Sequence, residues 1–237
     1  MLTFPTHLFN PIRTVLKPTG ITISGGESLS GEVDTIRTDG GGYWLIHMLG
    51  IELLTDDLVR AWRAWESTLE GGVTKVLVPI ADVRHAPRPV TGGVLSRPSQ
   101  LKDNDPADPY FPESVGFATP WIEASVLAFT AELRATEMWI EVTRGARLKG
   151  GEHFAVDHPT AGRRVYRVVR VLERHPDIDQ AARVAIRPPL REATGDGTAL
   201  DFDWPSVVAT LLPEADISPE LLYGRSGTVD ITFREAF

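Results

Sequence analysis

Short apolar stretches separated by glycine and proline dominate the pattern of hydrophobic and polar positions along this chain. Residues 20–24 alternate apolar and polar side chains, and residues 33–37 offer a second short strand. Residues 43–49 are almost all apolar or aromatic and are bounded by glycine, a pattern typical of a buried strand. The 21 Gly and 18 Pro residues recur at short intervals, which favours strands and turns over long helices. The pattern therefore predicts a mainly β fold.

Further strand patterns follow, and most of them lie after residue 123. The clearest is at residues 228–233, where Val229, Ile231 and Phe233 alternate with polar residues. The other predicted strands cover residues 75–80, 139–142, 164–172 and 183–187. We expect the final strand to return to the first sheet and complete it.

One segment has the pattern of an amphipathic helix, residues 55–70. Thr55 is suited to cap its first turn, and Asp56 and Asp57 place negative charge at the positive end of the helix dipole. The apolar positions fall on one stripe: Leu58, Ala61, Trp62, Trp65 and Leu69. Gly71 and Gly72 are predicted to end the helix, because glycine accepts the left-handed conformation of a helix cap.

Residues 84–120 carry no strand or helix pattern and hold many of the prolines. We interpret them as one long surface loop, and loops of this length are usually functional or disordered. The predicted organisation is a first domain of residues 1–122, completed by strand 226–237, and a second β domain of residues 123–225. We expect the loop at residues 84–120 and the turns at residues 25–42 to contribute to contacts between copies of the chain.

Charge and composition exclude several classes of function. The chain has 32 acidic and 24 basic residues, a net charge of -8, and no basic cluster, so specific nucleic-acid binding is not expected. Because Cys is absent, there is no disulfide framework, thiol nucleophile or thiolate metal site. No apolar stretch approaches the ~20 residues of a membrane helix, and residues 1–7 do not predict a signal peptide.

The nearest approach to a metal site is the run of His153, Asp157 and His158. These side chains would be ligands if they lay on one helix, but Gly150, Gly151 and Pro159 indicate a turn between strands. Structural metal sites normally have four ligands, and no partner elsewhere is indicated. We interpret the run as a polar hairpin end and predict neither a metal site nor a cofactor.

Catalytic patterns are also weak. The segment at residues 26–31 lacks the second glycine of a nucleophile elbow, since Ser30 stands in its place, and no helix pattern follows Ser28. No phosphate-binding loop or dinucleotide fingerprint is present. Paired carboxylates for glycoside hydrolysis meet only in space, so the sequence leaves that alternative open. We predict no catalytic residues and a protein that is not an enzyme.

The six Trp residues leave a sugar-binding role open. Trp62 and Trp65 lie on the apolar stripe of the helix and are predicted to be core residues, and Trp139 lies in a strand pattern. Trp121 and Trp204, each beside a proline, are the candidates for exposed loops. An exposed indole could stack on a sugar ring, so a carbohydrate-binding module that recognises a host surface glycan is the alternative function.

Several short motifs, in order, resemble those of a known group of proteins. They are SGGESLSG (24–31), GYW (42–44), RAWRAW (60–65), VPI (78–80), PPLR (188–191), GDG (195–197) and VDITFREAF (229–237). This order resembles the tail proteins of long-tailed bacteriophages and prophages, in particular distal-tail-like proteins of the tail tip. Each motif is short, and the resemblance lies in their order over most of the chain.

The resemblance implies a tail-tube-like β-sandwich with one flanking α-helix and a second, smaller β-barrel-like domain. It also implies a structural virion protein, assembled in the host cytoplasm, whose copies form a homohexameric ring at the end of the tail tube. Such a ring would contact the tail tube protein and the hub or baseplate proteins, and DNA would pass through its lumen. Acidic charge lining that lumen would keep DNA from adhering. No membrane partner is implied.

Overall fold

The structure of the protein is a computed structural model. It describes residues 1–27, 29–31, 33–37, 41–80, 86–88, 90–91, 94–95, 122–127, 131–213, 215, 217–222 and 226–237. The chain divides into two compact units. The first comprises Met1–Ile80 and Val207–Phe237, and the second comprises Ala81–Ser206.

Strands account for most of the regular structure. In chain order they are β1 (Leu2–Thr3), β2 (Arg13–Thr19), β3 (Thr22–Glu27), β4 (Val33–Arg37), β5 (Tyr43–Leu53), β6 (Val76–Pro79), β7 (Val90–Thr91), β8 (Val94–Leu95), β9 (Glu123–Val126), β10 (Glu137–Arg144), β11 (His153–His158), β12 (Gly162–Arg174), β13 (Ala181–Arg187), β14 (Ala199–Leu200), β15 (Ser206–Leu211), β16 (Glu220–Leu222) and β17 (Ser226–Glu235). Helix α1 (Asp56–Leu69) is followed by a short 3-10 turn, Glu70–Gly72. The predicted mainly β fold class is confirmed.

A seven-stranded sheet organises the first unit, in the order β1-β6-β15-β17-β5-β2, with β16 paired to β17. The last strand, β17, lies between β15 and β5, and its buried side chains include Val229, Ile231 and Phe233. Strand β5 alternates buried and half-buried residues, with Trp44, Ile46 and Met48 buried. The strand predicted at residues 43–49 is present, and it buries every second residue because an antiparallel strand is covered on one side.

Helix α1 packs on the buried face of this sheet, as its apolar stripe predicts. The Thr55 hydroxyl accepts a hydrogen bond from the backbone N–H of Leu58 at 3.2 Å, which confirms the predicted N-cap. The chain leaves the helix at Glu70, whose φ of 48° is left-handed, one residue before the glycine that was expected to end it. Trp62 is fully buried, and its ring centroid lies 4.9 Å from that of Phe9.

The second unit is built around a six-stranded sheet that almost closes into a barrel, in the order β11-β12-β13-β10-β9-β14. Ala155 of β11 and Asp201, just after β14, bridge the two ends of this order through backbone hydrogen bonds of 2.8 and 3.0 Å. Closure removes open sheet edges, which otherwise template aggregation. Phe154 fills the interior, with its ring centroid 5.3 Å from that of Phe202 and 5.7 Å from that of Tyr166.

The division of the chain differs from the predicted one. The first unit ends at Ile80 rather than at residue 122, and the chain returns to it at Val207 rather than at residue 226. The predicted return to the first unit missed strand β15, because Ser206–Leu211 lacks an alternating pattern in the sequence. Of the predicted loop at residues 84–120, the structure describes little beyond the hairpin of β7 and β8, and the rest lies outside the described residues.

Within the described ranges, the structure contains no helix of the length and apolar composition that crossing a bilayer requires.

Candidate functional site

A projecting β arm is the most unusual feature of the first unit. Strands β2 and β5 pair in antiparallel register up to Thr19 and Tyr43. Beyond that pair the chain continues as the hairpin of β3 and β4, which pair with each other and with no other strand of the described chain. We name this extension, residues 20–42, the arm. It forms a two-stranded sheet of its own, separate from the sheet that contains β2 and β5.

Glycines allow the chain to change direction at the root of the arm. Gly20 has a φ of 72° and Gly42 a φ of 84°, both in the left-handed region that other residues rarely adopt. A Cβ added at Gly42 would lie 2.3 Å from the carbonyl oxygen of Thr19 and 2.8 Å from Cγ1 of Ile21. At the root of the arm, the two backbone segments therefore lie so close together that residue 42 has no room for a side chain.

The arm presents an apolar face to solvent. Ile23 and Ile36 are directly opposite each other, and 61% and 62% of their surfaces are exposed. Ser24 and Thr35 form the next pair, on the other face of the hairpin. A lone two-stranded hairpin is marginally stable in water. An arm with its apolar face uncovered is therefore suited to packing against another molecule.

Around Trp204, the second unit has a different surface feature. The indole of Trp204 is 51% exposed, which confirms the sequence expectation for this residue, while Trp121 lies outside the described residues. Arg163 fixes the loop that carries Trp204. It donates to Asp157 at 2.6 Å, to Asp201, to the hydroxyl of Ser206 at 2.7 Å and to the carbonyl oxygen of Trp204 at 3.4 Å.

The sequence run of His153, Asp157 and His158 forms strand β11, and its last residue, His158, pairs with Gly162 at the turn end of the β11–β12 hairpin. His153 and Asp157 point to one side of the strand, and His158 to the buried side. Among the residues that the structure describes, no three His, Cys, Asp or Glu side chains are grouped as a metal site requires. Of the segment at residues 26–31, which resembles a nucleophile elbow only in part, Gly26 and Glu27 form the end of β3 in the arm, and Ser28 lies outside the described residues.

His158 forms part of a buried polar cluster that the sequence pattern did not reveal. Its Nε2 lies 2.8 Å from the hydroxyl of Tyr166, and that hydroxyl also accepts from the backbone N–H of Arg191 at 3.0 Å. The tyrosine proton is thus available to His158, which favours the neutral imidazole as acceptor. Burial lowers the pKa of His158 below its ordinary value, and the charge of Glu192 offsets part of this effect.

This lowered pKa predicts that stability falls in mild acid. Because the unfolded chain binds a proton at His158 more readily than the folded chain, the contribution is complete above the unfolded pKa of about 6.5 and is lost as the pH falls below it. We expect the Tm to fall between pH 7.5 and 5.5, and to fall less in His158→Gln. The exposed His7 provides the control, since His7→Gln should keep the wild-type pH dependence. Equal pH dependence in both variants would contradict the prediction.

Comparison with models of known protein families gives no match for this chain, and comparison with curated proteins gives none either.

Proposed function

We propose that this protein is a structural subunit of a bacteriophage tail tip, similar to distal tail proteins. Its copies form a ring that joins the tail tube to the hub or baseplate. The observation that carries this proposal is the arm, whose paired Ile23 and Ile36 are exposed on a hairpin that pairs with no other strand of the described chain. The ordered motifs of the sequence favour the same group of proteins.

The arm suits assembly for a physical reason. Its apolar face gains stability when another molecule removes it from water, at roughly 25 cal/mol per Å² of buried apolar surface. An arm that meets a different surface on the next copy makes a head-to-tail contact, and repeated head-to-tail contacts close into a ring when the rotation allows it. The proposed ring is hexameric, and one of its two faces contacts the tail tube protein while the other contacts the hub proteins.

The lumen of the proposed ring carries DNA during infection without binding it specifically. The net charge of -8 favours this passage, because like charges repel. The protein is then part of the virion after assembly in the host cytoplasm. The proposal assigns it a structural role and no catalytic one.

Light scattering on the purified protein, with negative-stain microscopy of the same sample, tests the proposal. We expect a single oligomer with the mass of a small ring and a central opening wide enough for duplex DNA. The Asp57→Lys variant, changed on the exposed side of α1, should form the same particle. A protein that remains a monomer at every concentration counts against the proposal.

Glycan binding by the second unit is the second candidate function, and the exposed Trp204 is the observation that favours it. The aromatic ring is presented by a loop that Arg163 holds in place, so little ordering entropy is lost when a ligand binds. The carboxylate of Asp157, whose side chain is 72% exposed, contacts the same arginine and can accept hydrogen bonds from a sugar. We expect binding on a glycan array that Trp204→Ala abolishes and Trp204→Phe retains in part. Binding that Trp204→Ala leaves unchanged would exclude this site.

A further inference from the structure

Along β2 and the first half of β5, the outer face of the seven-stranded sheet combines apolar and basic side chains. Since Trp44, Ile46 and Met48 of β5 point into the core, the residues between and after them point outward and are half-buried: Leu45, His47 and Leu49. The register places three residues of β2 directly opposite these and on the same face: Lys17, Val15 and Arg13. We name this surface the outer sheet face.

The named residues of the outer sheet face carry positive charge on a chain that is acidic as a whole, and the exposed carboxylates of Glu52 and Asp230 lie beyond Leu49 on β5 and β17. Arg13 and Lys17 are exposed, and the described part of the chain offers neither of them an ion pair. Arg234 of β17 lies opposite Leu45, and its guanidinium carbon is 4.2 Å from the centroid of the Tyr43 ring. The chain as a whole has a net charge of -8, so another copy of it can supply acidic groups. A surface that combines cations with apolar residues favours a partner surface that is acidic and apolar.

The arm has those properties. Asp34 lies two residues before Ile36 on β4, so its carboxylate shares a face with the exposed pair of Ile23 and Ile36. Within the described residues Asp34 forms no ion pair. The arm therefore presents an apolar pair flanked by a carboxylate, and the outer sheet face presents Val15 and Leu45 flanked by Lys17.

We propose, on the basis of the assembly function proposed above, that the arm of one copy docks on the outer sheet face of a second copy. Ile23 and Ile36 cover the apolar side chains of that face, and Asp34 faces Lys17. Because the two surfaces differ, the contact is head-to-tail and can repeat around a ring. The second copy meets the face and not the edge of β2, since Pro18 has no backbone N–H and interrupts any ladder added there.

A charge exchange between copies tests this contact. Asp34→Lys and Lys17→Glu each place like charges together, and each is expected to raise the dissociation constant of the oligomer by about tenfold or more. An equal mixture of the two variants should assemble again. In the mixture, the arm of an Asp34→Lys copy meets the outer sheet face of a Lys17→Glu copy, so the two introduced charges are opposite in sign. The unchanged arm of a Lys17→Glu copy meets the unchanged face of an Asp34→Lys copy. Sedimentation velocity over a range of concentrations measures all three samples.

If Asp34 and Lys17 met within one chain, every copy in the mixture would keep its own pair of like charges. Mixing therefore restores assembly only if the contact is between two copies. Glu70→Lys, at the exposed end of α1, is the control and should assemble like the wild type. If the wild type assembles and neither single variant weakens it, the docking inference is wrong while the proposed function stands. If assembly stops at a symmetric dimer, or if mixing restores nothing, the inference is also overturned. A wild-type monomer at every concentration overturns both.

Discussion

Replacing Trp62 by alanine is expected to lower the free energy of unfolding by about 3–5 kcal/mol, the cost of removing a large aromatic side chain from a packed core. Trp62 has no exposed surface. Its ring contacts Phe9, and its indole N–H donates to the carbonyl oxygen of Ile217 at 2.9 Å. The substitution thus opens a cavity and leaves a buried carbonyl without its donor, and Ile217 lies 155 residues away along the chain.

Urea unfolding followed by circular dichroism measures this effect. Trp62→Phe keeps most of the ring and loses the hydrogen bond, so its cost should fall between wild type and alanine, at about 1–3 kcal/mol. Trp204→Ala is the matched control, because half of that side chain is exposed, and its cost should stay within about 0.5 kcal/mol. A loss for Trp62→Ala that is as small as the one expected for Trp204→Ala would contradict the prediction.

Replacing Gly42 by alanine is expected to cost about 2–4 kcal/mol and to disturb assembly. Part of the cost is conformational, since a φ of 84° is unfavourable for a residue with a Cβ by about 1–2 kcal/mol. The rest comes from the new methyl group, which would lie 2.3 Å from the carbonyl oxygen of Thr19. Backbone atoms at the root of the arm must move to relieve that contact, and they carry the arm with them.

Gly71→Ala separates the two contributions. Gly71 has a φ of 63°, and a Cβ there meets nothing within 4 Å, so only the conformational cost of about 1–2 kcal/mol is expected. Hydrogen exchange should show faster opening of the amides of β2 and β5 in Gly42→Ala, with little change in Gly71→Ala. If the two variants lose the same stability and keep the same exchange pattern, the close approach at Gly42 has no structural role.

Sequence reasoning was most successful where one local interaction determined the outcome. The Thr55 cap, the acidic first turn and the apolar stripe specify α1 without reference to the rest of the chain. The alternation of Val229, Ile231 and Phe233 specifies β17 in the same way, because strand periodicity is a property of neighbouring residues. The mainly β class followed from many such segments together.

Other features depend on which segments meet. Strand β15 is buried at nearly every position, so it shows no alternation, and its place beside β17 decides the unit boundary. His158 was interpreted as part of a polar hairpin end, and it is buried because β11 directs it toward Tyr166 of the neighbouring strand. No periodicity in the sequence identifies such a partner.

The arm shows the same division within one segment. Turn residues and two short strands were visible in residues 20–42, and the turns were expected to contribute to contacts between copies of the chain. That Ile23 and Ile36 are opposite each other, and that no further strand covers them among the described residues, follows from register and sheet order. Local propensity determines which segments become strands, whereas long-range pairing and burial determine which side chains remain exposed to another molecule, because both depend on residues far away along the chain.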